Sequence, residues 1–437
     1  MSKYNSSHYQ DFTHLDQWLY YLENLHSSEI ELGLSRIGSV AERLAIDLSF
    51  AKVITVAGTN GKGTTCAFIE NALLSCDIIG SQQGVAVYSS PHIERFNERL
   101  RINKKDVQDK ALIDAFKRIE DARKEISLSY YEYTTLAALL VLMHAKPRFI
   151  ILEVGLGGRL DATNIIDADI AVITTIDLDH QSYLGNDRES IGFEKAGIMR
   201  QGQDIVIGDT NVPKSVLAHA YKLHASHGER LFLRDQDFVV NNGEFLWNWQ
   251  TTQTQLTALK QSYIPRENVA TALMVLEKLN LPLTTEFVNE VISITKVAGR
   301  TELIKKIGHC DVILDVGHNP QAARYLAGYL KKVKNQAGYQ KVYAVVSMLS
   351  DKDISATLQP LKDEIDFWYT GALSVPRAAT KETMVSKLAV FTDAVNCFDN
   401  VDEAFKMANK QANENDLILV FGSFFTVAKI RTQLTVC

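Results

Sequence analysis

Along the chain, short β-branched apolar runs alternate with longer stretches whose apolar residues recur at helical spacing. Val53–Val56 is apolar or β-branched at every position and predicts a buried strand. It breaks at Gly58-Thr59-Asn60-Gly61-Lys62-Gly63 and resumes as a helical run from Thr64. Upstream, Leu15–Leu25 and Gly38–Leu48 have helical spacing; between them, Gly33 interrupts the otherwise apolar Ile30–Ile37 and marks a bend or a close approach by a ligand, a plain helix–helix connection being the default. Downstream, Gly84–Tyr88, Phe149–Val154, Ile170–Thr175 and Asp204–Gly208 predict further strands. Asp106–Ile126 predicts an amphipathic helix, and Ser129–Met143, apolar all round after its first turn, a buried one. Asn268–Leu279 is a further helix, and the charge-dense Ile93–Arg99 reads as a solvated face. Strands alternating with helices predict a parallel, doubly wound sheet. Asp237–Trp249 alternates around Asn241-Asn242-Gly243 and predicts an antiparallel edge hairpin. Lys296–Thr301 reads as a hinge, and a second α/β pattern follows, with strands at Asp311–Val316, Lys341–Ser347, Phe367–Thr370 and Leu417–Phe421. The expected architecture is α/β in two domains, 1–297 and 298–437.

A chain of 437 residues has room for two or three domains, and 46% hydrophobic with 22% charged residues is the balance of an ordinary soluble protein. The net charge of −6 argues against a broad nucleic-acid or membrane surface, though not against a local pocket for an anion. Cys66, Cys76, Cys310, Cys397 and Cys437 are scattered, without ligand spacing, so neither a disulfide framework nor a zinc site is expected. The start of the chain is polar, without an apolar leader, and no apolar run reaches ~18 residues, the length a membrane span needs. A soluble cytoplasmic protein is the expectation.

Candidate chemistry gathers at strand ends. A strand, a glycine loop and a helix aim orphan N–H groups and a helix dipole at one point, which suits a phosphate. Lys62 adds a cation there, and the Thr64 hydroxyl can reach a Mg2+ riding on the phosphates. The loop is not a standard Walker A: Gly58 is only three residues before Gly61, and Gly63, not Ser or Thr, follows Lys62. A glycine pattern alone would be a mere strand–helix turn. Ser90, Glu153 and His180 lie at or just beyond the carboxyl ends of other strands, where ligands of open α/β sheets bind, and they offer the donors that hold Mg2+. His180 alone reads as a structural histidine; beside Asp177 and Asp179 it reads as a site residue. Glu132 is accounted for by helix-dipole stabilisation, and Lys195 alone reads as a solvated lysine.

The motifs GTNGKGTT, SSPH (Ser89–His92), EVGLGGRLDATN (Glu153–Asn164), LDH (Leu178–His180), FEKAGI (Phe193–Ile198), the GR within Ala298–Thr301, DVGHNP (Asp315–Pro320) and GSFFTVA (Gly422–Ala428) occur in order along nearly the whole chain. In them the chain resembles the folylpolyglutamate synthase/dihydrofolate synthase family of the Mur ligase superfamily. The resemblance implies an N-terminal ATP-binding domain of Mur ligase central type carrying a folate site, and a smaller Rossmann-like C-terminal domain. It also implies an ATP-dependent amide ligation. A carboxylate of dihydropteroate or a reduced folate is phosphorylated, and the amino group of L-glutamate attacks the acyl phosphate. By resemblance Thr59, Asn60, Gly61, Lys62, Gly63, Thr64, Asn268, Arg300 and Asp315 contact ATP. Ser90 and Glu153 hold one Mg2+ and His180 helps with a second, while Lys195 is the position of a carbamylated lysine. Lys62, Lys195 and His318 are the implied catalytic residues. The acceptor lies against Glu31, Leu32, Gly33 and Leu34, against Ser129, Tyr130, Tyr131 and Glu132, and against Leu160, Asp161 and Ala162. The active site is expected in a cleft that domain closure completes. Two departures from the family pattern are Glu31, where Asp is usual, and Phe425, where His is common. The intact Arg159–Asn164 (RLDATN) argues for the bifunctional type over a polyglutamylase alone. A peptidoglycan Mur ligase is disfavoured, because the 57 residues before Gly58 are too few for its UDP-sugar domain. A nucleotide-binding switch would have no need of DVGHNP.

Overall fold

The computed structural model describes residues 9, 11–26, 30–76, 84–243, 245–305, 309–392 and 394–435. Most of the polar leader and Cys437 lie outside them. The chain divides into two compact units, Met1–Ile176 with Leu184–Thr295, and Asp177–Tyr183 with Lys296–Cys437.

In the first unit, β1 (Lys52–Ala57), β2 (Val85–Tyr88), β3 (Leu100–Ile102), β4 (Lys105–Asp106), β5 (Phe149–Glu153), β6 (Ile170–Ile173), β7 (Asp204–Ile207) and β8 (Leu231–Leu233) form one sheet in the order β4-β3-β2-β5-β1-β6-β7-β8. The pairings from β2 through β8 are parallel; β3 and β4 are antiparallel additions at one edge. Central β1 is buried from Val53 to Ala57, as a parallel strand covered on both faces must be. On one face the helix Tyr130–Ala145 packs with the helices Leu15–Glu23 and Asp109–Arg123 around Trp18, Phe116, Tyr133 and Leu136. Helix Lys62–Ser75 is buried from Thr64 to Leu73, so it too is hidden on all sides and packs on helix Arg266–Lys278.

The expected hairpin is in fact a separate three-stranded antiparallel sheet, β9 (Val239–Asn242), β10 (Leu246–Gln250) and β11 (Gln255–Lys260). Its third strand alternates weakly, with only Leu256 and Leu259 buried, which hid it in the sequence. The charge-dense segment 93–99 is not a simple solvated face. Phe96 and Asn97 are buried in a short turn that feeds β3, and Asn97 is held there by Val107 O and Asp109 Oδ1, both at 2.8 Å. The helix expected from Asp106 begins at Asp109, because Asp106 pairs with Arg101 in the β3–β4 hairpin. The helix expected from Gly38 begins earlier, at Ser35.

The second unit carries β12 (Glu302–Ile304), β13 (Asp311–Asp315), β14 (Val342–Val346), β15 (Phe367–Gly371), β16 (Val395–Phe398) and β17 (Leu417–Phe421), in the order β12-β13-β17-β14-β15-β16. All its pairings are parallel except that of β12 with β13. β12 and β16 are edge strands of three and four residues, too short and too mixed in polarity to stand out in the sequence. Among the described residues, no helix is long and apolar enough to cross a membrane.

Candidate active site

The phosphate loop leaves β1 at Gly58 and enters helix Lys62–Ser75 through Gly61, its N-cap, at φ +87°. Both glycines are required. A β-carbon on Gly58 would collide with Thr174 Oγ1, and one on Gly61 would stand 2.5 Å from Asn268 Oδ1. The loop is braced from β6. Thr59 N donates to Thr175 O (2.7 Å), Asn60 N to Thr175 Oγ1 (3.1 Å) and Thr174 Oγ1 to Asn60 O (2.6 Å). Lys62 Nζ donates to Gly58 O at 2.9 Å, and Asn268 Nδ2 reaches the Thr64 hydroxyl at 2.8 Å. Asn268 thus comes from helix Arg266–Lys278 to the first turn of the loop helix, 204 residues away in sequence.

Because β2, β5 and β1 are adjacent and parallel, their carboxyl ends place Ser90, Glu153 and the phosphate loop side by side. Glu153 is 5% exposed, and a β-carbon on Gly63 would lie 3.6 Å from one of its carboxylate oxygens and 3.8 Å from the other. Past β5, the loop through Asn164 packs on the end of helix Arg188–Ala196. Arg159 N donates to Glu194 O (2.7 Å), and Asn164 Nδ2 to Gly197 O (3.0 Å). That helix carries Lys195, only 3% exposed, so it is not the solvated lysine that the residue alone suggested.

The three segments that the resemblance assigns to the acceptor also meet in this unit. Gly33 N donates to Leu160 O (3.4 Å), while Arg36 pairs with Glu31 and, at 3.1 Å, with Glu132. Ser129 caps helix Tyr130–Ala145 reciprocally with Glu132, its own N–H lying 2.8 Å from Glu132 Oε2. Tyr131 stacks on Tyr88 with ring centroids 6.3 Å apart. Asp161 is fully enclosed and accepts from Leu156 N, Thr163 N and Thr163 Oγ1; burial raises its pKa against the pull of those bonds.

In the second unit Asp315, at the end of β13, accepts from Thr301 N (2.8 Å) and Gly317 N (2.7 Å), and burial outweighs nearby Arg300 in raising its pKa. Arg300 lies over the Phe424 ring at 5.5 Å. His180, in the left-handed region at φ +50°, belongs to this unit with its neighbour Asp179. The Asp179 carboxylate gathers Lys352 Nζ (2.7 Å), His180 N (2.8 Å), Asn319 Nδ2 (3.1 Å) and His318 Nε2 (3.6 Å). Burial would raise its pKa, but the contact with His318 and the charges of His180 and Lys352 prevail and hold it well below the usual carboxylate range. His318 Nδ1 faces Val316 O at 2.9 Å. Sequence reasoning gave no part to Thr174, Thr175, Arg36, Asn319 or Lys352. The threonines carried a signal, polar residues at the carboxyl end of an apolar strand; Lys352 and Arg36 had none beyond their charge.

Residues 56–275 match the Mur ligase middle domain and 299–424 the Mur ligase glutamate ligase domain. A dihydrofolate synthase/folylpolyglutamate synthase of Escherichia coli K12 is 41% identical over 416 residues, 95% of this chain and 94% of that protein. The chain belongs to the dihydrofolate synthase/folylpolyglutamate synthase family of Mur ligases. Another family protein, from Haemophilus influenzae, is 41% identical over 431 residues, 95% of this chain and 96% of its own length. Escherichia coli FolC in complex with DHPP and ADP superposes with a TM-score of 0.89 at 41% identity, covering 97% of this chain and 98% of that one. The bifunctional enzyme solved with Mn, AMPPNP and L-glutamate superposes at 0.86 with 44% identity, over the same shares of the two chains. The family's two-domain α/β fold is therefore the fold of this chain.

Proposed function

We propose that this chain is an ATP-dependent ligase that joins L-glutamate to dihydropteroate and to reduced folates, releasing ADP and phosphate. The observation that carries the reading is the braced phosphate loop with Lys62, Thr64 and Asn268 at its mouth and buried Glu153 beside it. The N–H groups of the first turn of helix Lys62–Ser75 and the Lys62 ammonium suit the terminal phosphates of ATP. Ser90 and Glu153, oxygen donors at neighbouring strand ends, would hold one Mg2+, and His180 would help hold a second. When bound, they supply neutralisation of phosphate charge, the main demand of phosphoryl transfer. Buried Lys195 suits carbamylation, in which the neutral amine adds to CO2 and loses a proton, leaving a carboxylate-like anion in place of a cation. Arg300, Asp315 and Asn268 complete the nucleotide contacts, and His318, oriented by Val316 O and Asp179, serves the glutamate and phosphate end.

The acceptor's pterin end is held by the strap 31–34, by 129–132 and by 160–162, with its carboxylate toward the phosphate loop. The acceptor oxygen attacks the γ-phosphorus as ADP leaves. The glutamate nitrogen then attacks the acyl carbon, and phosphate departs as the amide forms. The protein acts on these small molecules as a cytoplasmic monomer. The test is ATP-dependent phosphate release with L-glutamate plus either dihydropteroate or tetrahydrofolate. Release with both supports the bifunctional reading; release with tetrahydrofolate alone reduces it to a polyglutamylase; ATP hydrolysis indifferent to glutamate overturns it.

A further inference from the structure

Arg36 is the second residue of helix Ser35–Arg43, which follows directly on the strap 31–34, a segment with no helix or strand of its own. Its guanidinium lies between two carboxylates from distant parts of the sequence. One is Glu31 of the strap, whose backbone oxygen Arg36 Nη2 also meets at 3.3 Å. The other is Glu132, 3% exposed, which spends its second oxygen on the Ser129 cap. The Nε atom of Arg36 is buried and has no protein partner among the described residues, so the two carboxylates and the Glu31 backbone oxygen set the plane of the guanidinium. Glu31 is fixed from its other side by His26 Nε2 at 2.6 Å, and His26 Nδ1 meets Ser127 Oγ at 2.7 Å. The resulting chain, Ser127–His26–Glu31–Arg36–Glu132, ties the strap to the start of helix Tyr130–Ala145. The Gly33–Leu160 bond ties it to the third acceptor segment.

We propose that Arg36 is a positioning residue of the acceptor site. By holding Glu31 and Glu132 at once it keeps the strap 31–34 closed on Leu160, and so sets the affinity for the pterin-bearing acid but not for ATP or glutamate. The proposal rests on the acceptor-site reading given above. Of the two ion pairs, Glu31–Arg36 adds little stability, because its side chains keep 43% and 23% of their surfaces exposed, whereas Glu132 is 3% exposed and needs Arg36 as its partner. The helix is anchored by fully buried Ile37 and Val40.

In Arg36→Met, the KM for dihydropteroate should rise about tenfold, the loss of one to two charge-assisted hydrogen bonds. The KM values for ATP and glutamate should stay within about twofold of wild type, because their contacts lie elsewhere. Arg36→Lys should recover part of the loss, since an ammonium satisfies one carboxylate but cannot bridge two as a planar fork does. Glu31→Gln, a change at a partly exposed side chain, should give the same pattern more weakly. Amide hydrogen exchange of residues 30–36, measured with no substrate present, should be faster in Arg36→Met than in wild type. An unchanged acceptor KM, or three KM values rising together, overturns the proposal. If the wild type turns over neither acceptor, the ligase reading fails on its own. Exchange at Gly33 then judges the strap contact separately, and equal rates in wild type and Arg36→Met reject it.

Discussion

Lys62 opens the loop helix beyond β1, and Glu153 ends the adjacent β5 with its buried carboxylate beside Gly63. Lys62→Ala and Glu153→Ala should each reduce glutamate-dependent phosphate release by at least about a thousandfold, on the scale of losing a principal electrostatic contact to a transferring phosphoryl group. Circular dichroism and melting temperature should stay close to wild type. Substantial ligase activity in either purified, folded variant would remove the residue from its role. Lys195→Ala should be impaired and partly restored by added formate or acetate, which can supply the missing carboxylate; a fully active variant would refute the carbamate. At this scale the sequence was legible where a residue's place follows from its strand, as for Glu153 at the carboxyl end of β5. It was not legible for Arg36 or Lys352, whose significance lies in partners 96 and 173 residues away.

The loop-and-helix element carries a tighter constraint than its glycine pattern alone suggests. Gly61→Ala places a β-carbon 2.5 Å from the Asn268 amide and forces an alanine to φ +87°. Strain of this kind costs on the order of 1–3 kcal/mol, so the variant should melt several degrees lower and bind AMPPNP more weakly. The double variant Gly61→Ala/Asn268→Ala relieves the collision but not the backbone strain. It should regain part of the melting temperature and little of the affinity. At helix Tyr130–Ala145, Ser129→Ala removes the capping hydroxyl and should cost about 1 kcal/mol, read from urea unfolding with an unchanged m-value. Its signal stood in the sequence as S-x-x-E. The third strand of the small sheet and β12 did not, because edge strands that bury two positions in six, or none in three, lack a period to detect.

For the first unit as a whole, nucleotide binding should act as a stability term. AMPPNP with a divalent cation at about a hundred times its Kd should add about 2.7 kcal/mol, a shift in melting temperature of a few degrees that Lys62→Ala abolishes. Stability should also depend on pH through His92. Burial, then the neighbouring Arg99 guanidinium 2.9 Å away, lowers its pKa from 6.5 to about 4. The unfolded chain therefore binds the extra proton first as pH falls. The contribution of His92 is fully present above pH 6.5 and is lost as pH drops toward about 4. His92→Gln should flatten the dependence of melting temperature on pH across that window, and an identical slope in the variant would show that another group governs it.

The sequence by itself determined the two α/β patterns, the central strands and the glycine loop. These features are local: a buried parallel strand must be apolar throughout, and a phosphate loop needs glycine where no β-carbon fits. The order of motifs along the chain was enough to indicate the family. Only the tertiary structure decided that Thr174 and Thr175 brace the loop and that Asn268 reaches its first turn. It likewise decided that Asp177–Tyr183 joins the second unit, where Asp179 gathers His318, Asn319 and Lys352. Contacts of this kind depend on which strands lie side by side and where helices cross. That order follows from burying apolar faces across the whole chain, and no single stretch of residues records it.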